Sequence, residues 1–578
     1  MIKKFKPFVK GYVKEALLSP LFIIFEVICE IFIPFIMAKI VDEGIMQNRG
    51  VGYVAKTGAL MVAVALFSLA CGAFAAKFAA KAGMGFGSNL REKLFHKVQD
   101  FSFSNIDKFS TASLVTRLTT DINSVQTAFM MVLRICFRAP LMLIGALAMT
   151  VVISPKLSLA FAVSVPVLAI VLGLIGAIAF PKFKFMLKKF DALNASVQEN
   201  LISIRAVKAF VRSDYEKKKF KDANDELREA SISAEKLLVA TMPFMMFTVF
   251  ATIVVVLWLG SKEIISGNIE IGLLTSYVSY SIQIMMSLMM LSIIFVMLVI
   301  SKASFQRIEE VLDEKIDITD GENADNQPAK NGEIEFKNVC FKYNKNAENN
   351  VLSDINLKIN SGETIGIIGG TGSAKSTLVQ LIPRLYDVTQ GELLVAGKNV
   401  KDYSIKALRN SVSMVLQNNV LFSGTIKENL RWGGENATDE EIETACKIAQ
   451  AHDFIMSFPD KYETYLGQGG VNVSGGQKQR LCIARALIQK PKIIILDDST
   501  SAVDMNTDAS IRKALKENLD SNTTVIIIAQ RIASVCEADR IVVLDDGKIN
   551  AVGTHEELLK NNEIYQQVYF SQQKGVAE

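Results

Sequence analysis

Seven cysteines are scattered through the 578 residues with no C-x-x-C pair and no metal-ligand spacing. That removes a zinc module or a disulfide framework from consideration, and the thiols read as buried and mostly reduced. Charge is nearly balanced: a net +4 is too small to imply nucleic acid as a partner. No cleavable signal is evident. Met1 to Lys14 (MIKKFKPFVKGYVK) is basic and amphipathic and reads as an interfacial helix feeding a first membrane span. What the chain has in excess is apolar surface. Half of it is hydrophobic and the mean hydropathy is +0.29, yet charged residues still make up 21%. That average covers two unlike halves, an apolar one and a soluble α/β one, so one membrane domain and one cytosolic domain are expected.

Runs of about 20 apolar residues, enough to cross roughly 30 Å of hydrocarbon, fall near 17–41, 55–80, 132–154, 157–180, 238–261 and 271–300. Six spans follow. The long segments after spans two and four are basic, with Lys182, Lys184, Lys188, Lys189, Lys208, Arg212, Lys217, Lys218 and Lys219 in the second of them. The positive-inside rule makes these segments and both termini cytoplasmic. Phe95–Phe103 has apolar residues at helical spacing, and Ser110–Val125 reads as its continuation. Within the spans, Glu26 and Glu30 share one helix face, either lining a cavity or pairing with Arg134 or Arg138. Phe244, Phe247 and Phe250, with Met285, Met286, Met289 and Met290, either line an adaptable apolar cavity or pack helices. Asp42 and Glu43, at the outer end of span one, are candidates for an external latch.

The expected division is a transmembrane domain over 1–312, a polar linker over 313–332 containing Pro328, and a nucleotide-binding domain over 333–578. Glu333–Phe341 alternates like an edge strand. After the apolar Thr364–Ile368 comes Gly369, Gly370, Thr371, Gly372, Ser373, Ala374, Lys375, Ser376 and Thr377. This is a phosphate loop: backbone N–H groups cradle phosphates, Lys375 reaches the terminal ones and Ser376 ligates Mg2+. A second apolar run, Ile493–Leu496, delivers Asp497 and Asp498. A buried strand ending in a carboxylate is how α/β nucleotide sites place a magnesium ligand, here Asp497. ATP with Mg2+ is the implied cofactor pair.

Val473-Ser-Gly-Gly-Gln477 closely resembles the LSGGQ signature of ATP-binding cassette (ABC) proteins, and Thr111–Asp121 (TASLVTRLTTD) resembles a motif of the first intracellular loop of ABC exporters. Ile204–Tyr215 resembles the second loop's coupling region, Gln417 the Q-loop glutamine that contacts Mg2+, and Ser501–Asp504 the D-loop; Tyr343 stands where the family stacks an aromatic on adenine. The resemblance covers nearly the whole chain. It implies an ABC exporter half-transporter: an α-helical membrane domain of six transmembrane helices in the type I exporter fold, fused to a cytosolic α/β P-loop domain. It further implies that Ser474, Gly475, Gly476 and Gln477 cap ATP held by a second nucleotide-binding domain, as an anion site at a helix start.

Four positions depart from the family. The catalytic glutamate is Asp498, whose carboxylate is retracted by about 1.5 Å, where a displacement near 1 Å costs roughly a hundredfold. The switch histidine is Gln530. Gln468 replaces a usual glutamate ahead of the signature, and Ala374 replaces the glycine before the loop lysine. A Cβ at 374 costs about 1–2 kcal/mol if φ is positive there. The signature itself is intact. The expected protein is one subunit of a heterodimeric exporter of hydrophobic or amphipathic compounds, multi-pass in the cell (inner) membrane. Its own ATP site would hydrolyse weakly while it completes its partner's competent site. The alternatives are a homodimeric exporter, an ATP-gated regulatory or channel-like protein, and an exporter-fold importer.

Overall fold

The computed structural model describes residues 5–344, 347–499 and 503–574; Met1–Lys4 and the Ser501–Ala502 half of the expected D-loop lie outside them. The chain forms two compact units, Met1–Gln99 with Thr111–Glu314, and Asp100–Ser110 with Lys315–Glu578.

Among the described residues, six helices of the first unit are long and apolar enough to cross a membrane. They lie in α1 (Val13–Lys39), α2 (Val51–Gln99), α5 (Ile122–Ile153), α6 (Pro155–Ile202), α8 (Ser213–Ile265) and α9 (Ile271–Asp313). Helices of 48 to 53 residues, such as α2, α6 and α8, are over 70 Å long at about 1.5 Å per residue. They therefore outrun the bilayer and form the cytoplasmic segments themselves. Of the amino-terminal stretch, Phe5 onward is described, and Phe5 is helical. Lys6–Val9 is one 3-10 turn, ended before α1 by Gly11 at φ +92°. Asn89 donates to the Phe8 and Lys10 carbonyls, and Phe5 packs edge-on against Phe305 at 4.8 Å.

The helix expected to run on from Phe95 through Val125 is broken. After α2 ends at Gln99, Ser102 caps a new helix, α3 (Phe103–Phe109), with Asn105 closing the capping box. Ser110 then turns to φ +57° before α4 (Thr111–Thr116) and a π-helical turn over Arg117–Asp121. The extra residue of that turn accompanies an ion-pair network. Arg117 pairs with Glu310 at 2.8 Å and donates to the Arg307 carbonyl, while Arg307 forks onto the buried Asp121. The arginine and aspartate of the TASLVTRLTTD motif thus fasten α4 and α5 to the end of α9.

Ile23, Val27 and Ile31 form the buried stripe of α1, against Met142, Ala146, Phe161 and Met285. Tyr277 donates to the Thr150 and Ser154 carbonyls and Tyr280 to that of Ile31, so these interior phenols are satisfied. Of the methionine stripe, Met285 is core and Met286 exposed; Phe244, Phe247 and Phe250 are all exposed. Glu26 and Glu30 both pair with Arg138, not Arg134. Asp42 is buried and accepts the backbone N–H groups of Gly272 and Leu273, capping α9 within the same chain. Glu43 is taken up by Arg49 at 2.6 Å and by the Tyr53 hydroxyl.

In the second unit, β1 (Ile334–Phe341), β2 (Leu352–Ile359), β4 (Gln390–Val395) and β5 (Lys398–Asn399) make an antiparallel sheet ordered β2-β1-β4-β5. The main sheet holds β3 (Thr364–Ile368), β6 (Val412–Val415), β7 (Ile493–Asp497), β8 (Thr524–Ile528), β9 (Arg540–Asp545) and β10 (Lys548–Gly553), ordered β10-β9-β3-β8-β7-β6. All its pairs but β9–β10 are parallel. The central strands are buried on both faces, which is why β7 and β8 are continuous apolar runs rather than alternating ones.

Residues between Lys315 and Gly332 are not a loose tether. Asp325 exchanges backbone hydrogen bonds with Asp402 and Ser404 and pairs with Lys398, and Ala329 is buried with its N–H on Ser411 Oγ. Helix α3 is seated in the same unit. Ser102 and Ser104 donate to Asp317, Asn105 donates to the Lys315 carbonyl, and Asp107 accepts the Tyr386 hydroxyl at 2.7 Å. The cysteines within the described residues are all free, but only Cys71 and Cys446 are buried and the other five are half-buried.

Candidate nucleotide site

Adjacent parallel strands β3, β8 and β7 end side by side, which gathers three loops at their carboxyl ends. From β3 the chain passes through Gly369–Ala374 into helix α10 (Lys375–Gln380). Lys375 Nζ folds back over this loop, donating to the carbonyls of Gly369 (2.9 Å) and Gly370 (2.7 Å). Burial lowers its pKa, with Asp498 and Asp497 pulling the other way. Ala374 sits at φ +69°, the left-handed region where a Cβ is strained. The strain belongs to the fold of the loop itself. Ala374→Gly relieves it and should stabilise the domain by about 1 kcal/mol after glycine's larger unfolded-state entropy is set against it. Differential scanning calorimetry of the purified protein checks this as a higher unfolding temperature.

Asp497 closes β7, is 2% exposed, and accepts the Ser376 hydroxyl at 2.9 Å. The next residue, Asp498, turns to φ +47°, an angle that aspartate tolerates better than most side chains, and its N–H is held by the Ile528 carbonyl. Gln530, two residues beyond β8, donates Nε2 to Asp498 Oδ2 at 2.9 Å, and the nearby Gln417 amide helps hold the pKa of this carboxylate down. Burial pushes both aspartates up. For Asp497 the Ser376 bond opposes it, and for Asp498 the two glutamine amides and Lys375 do. Lys375, Ser376, Gln417, Asp497, Asp498 and Gln530 are therefore gathered at one end of the sheet.

Tyr343 is half exposed and shares a hydrogen bond with Thr377 Oγ1 at 2.9 Å; its ring meets Phe341 and Tyr386 edge-on, with centroids 4.9 and 5.1 Å apart. Ser474 caps helix α11 (Gly475–Ile488) in a capping box with Gln477, leaving Ser474 and Gly475 exposed at its start. Asp504 caps α12 (Met505–Asn518) through Thr507, and Gln468 is exposed on a short turn. Two features escaped sequence reasoning. The convergence of Gln417 and Gln530 on Asp498 needs the strand order, and Tyr386 is flagged only as an aromatic between Arg384 and Asp387.

No group of three or more His, Cys, Asp or Glu side chains among the described residues could hold a metal ion. Mg2+ takes one or two protein ligands and draws the rest from phosphate and water. The Ser376 hydroxyl on the Asp497 carboxylate is a fitting donor pair.

Comparison with known proteins agrees with this geometry. Residues 16–288 match the ABC transporter transmembrane region and residues 352–501 the ABC transporter domain. The chain is similar to the Bacillus subtilis ABC transporter ATP-binding protein YfiB, with 38% identity over 99% of this chain and 98% of that one. It is also similar to YgaD of the same species, named a putative multidrug export ATP-binding/permease protein, with 32% identity over 98% and 99%. The solved structure of a bacterial Atm1-family ABC exporter with ATP bound shares its fold, with a TM-score of 0.81 at 23% identity over 98% of each chain. Six apolar helices, a P-loop domain built on the strand order above and full-length relatives together establish the identity: this chain belongs to the ABC transporter family, a multi-pass membrane protein of the type I exporter fold whose cytosolic ATPase domain is coupled to transport.

Proposed function

We propose that this chain is one subunit of a heterodimeric exporter of hydrophobic or amphipathic compounds, binding ATP at a site of its own that turns over poorly. The observation that carries this is the hydrogen bond from Gln530 Nε2 onto the Asp498 carboxylate at 2.9 Å. A general base must reach the proton of the attacking water. Here the carboxylate is short, and the Gln530 amide occupies one of its oxygens; Gln530 has no ionisable nitrogen with which to reorient it. Tyr343 would stack on adenine, and Ser376, Gln417 and Asp497 would hold Mg2+. That ion, when bound, neutralises phosphate charge. Lys375 has to leave the Gly369 and Gly370 carbonyls to reach the terminal phosphates, and those carbonyls hold it ready within the loop.

Two further features support a second subunit. The anion-binding start of α11 is exposed, as a group serving another chain's nucleotide should be. Around α7 (Ile204–Ala209), Ile202, Phe210 and Val211 are 76%, 78% and 85% exposed, apolar surface at the segment resembling a coupling region. The relatives named for multidrug export support a drug-like or lipid-like substrate.

The test is ATP hydrolysis by the purified chain, alone and co-expressed with its partner. Negligible activity alone, and robust activity together that is lost when the partner's catalytic acid is neutralised, is the expected result. Fast hydrolysis by this chain alone would overturn the asymmetric reading in favour of a homodimer.

A further inference from the structure

The adenine side of the site is joined to helix α3 by packed, hydrogen-bonded side chains within the second unit. Thr377, where the phosphate loop enters α10, shares its hydroxyl with Tyr343. The Tyr343 ring meets Tyr386 edge-on at 5.1 Å. Tyr386 is 8% exposed and sends its hydroxyl to Asp107 of α3 at 2.7 Å, with Phe103 of the same helix against its ring at 6.0 Å. Burial first, then Asp107, pushes the Tyr386 phenol up, so it stays a proton donor at neutral pH. The amino end of α3 is held separately, by Asp317 on Ser102 and Ser104 and by the Lys315 carbonyl on Asn105. A change at Tyr343 therefore reaches the middle of α3 through one buried ring and one hydroxyl.

We propose that Tyr386 is a positioning residue that makes α3 responsive to the nucleotide base, and not only to the phosphates. Tyr343 is half exposed and its ring has room to reorient against a base, while Tyr386 is packed on three aromatic neighbours and passes that reorientation to Asp107. A triphosphate without a base fills the phosphate loop but leaves Tyr343 unstacked. Such a ligand should load the site without tightening α3. The inference rests on the reading that Tyr343 stacks on adenine.

The test is hydrogen–deuterium exchange of residues 103–109 in the full chain in lipid nanodiscs, with magnesium ATP or magnesium tripolyphosphate at saturating concentration. Wild-type exchange there is expected to slow about fivefold or more with ATP, the worth of roughly one net hydrogen bond. Tripolyphosphate should leave it unchanged. Tyr386→Phe keeps the ring and removes only the hydroxyl, so it should keep ATP affinity and melting temperature while losing the ATP-specific protection. Asp107→Asn should weaken the same protection. Equal protection by tripolyphosphate and ATP would overturn the proposal, as would full ATP protection in Tyr386→Phe. The underlying reading fails separately: if Tyr343→Ala binds ATP as tightly as wild type, Tyr343 is not the adenine platform and the inference falls with it.

Discussion

Asp498→Glu combined with Gln530→His should raise ATP hydrolysis by this chain alone about 30- to 100-fold, with either single change giving much less. The carboxylate of Asp498 lies one methylene short of where a base must act, and a positional error near 1 Å is worth roughly a hundredfold in rate. Lengthening the side chain alone leaves Gln530 Nε2 bonded to the new carboxylate, because the 2.9 Å contact spans two loops fixed by adjacent strands. Replacing Gln530 alone supplies an imidazole but leaves the acid short. The two changes should therefore be non-additive, as expected of groups acting on one water. A stability cost accompanies the gain. Residue 498 sits at φ +47°, where aspartate is more at ease than glutamate, so the double variant should melt slightly lower while turning over faster. Steady-state phosphate release in nanodiscs measures the effect. A double variant no faster than wild type would mean that the weakness of this site lies elsewhere.

The same fixed loops explain which parts of the site could be read beforehand. The loop Gly369–Ala374 and the Asp497–Asp498 pair each follow or close a strand directly, so their place at a strand's carboxyl end is a local fact. The contact between Gln530 and Asp498 is not local. It exists because β8 lies between β3 and β7, an order set by crossovers more than a hundred residues long between β3 and β7. Spacing gives no warning of it. The six spans were legible because length and hydropathy decide them.

What the sequence hid in the membrane half has a common cause. Arg134 and Arg138 share a helix face, as Glu26 and Glu30 do, and periodicity alone assigns neither arginine. Packing of α1 against α5 chooses Arg138. The break after Gln99 was concealed because its capping box uses asparagine at the third helical position rather than the usual glutamate or glutamine. The π-turn over Arg117–Asp121 leaves no pattern of its own, since its cost is met by ion pairs to α9, nearly two hundred residues away. Asp42 looked like an external latch because a loop acid near an outer helix end carries no mark of its partner, here the first turn of α9.

Gly475→Asp should reduce hydrolysis by the assembled transporter at least a hundredfold, although it alters nothing in this chain's own phosphate loop. Gly475 is the first residue of α11 and exposed, and an acid there favours the helix dipole, so the fold should be unharmed. For a phosphate brought to that helix start the same acid is repulsive. Two unit charges about 4 Å apart interact by roughly 4 kcal/mol at an effective dielectric near 20, far more than a hundredfold requires. ATP binding by this chain should stay at its wild-type affinity, because Lys375, Ser376 and Asp497 are untouched. In the same assembly Asp498→Asn should change turnover little. Paired measurements of phosphate release and of ATP affinity on both variants decide the matter. If Gly475→Asp is harmless and Asp498→Asn abolishes hydrolysis, the working site is the one on this chain, and the asymmetric assembly is wrong. The opposite pattern places the chemistry on the partner's phosphate loop, with α11 of this chain as its lid.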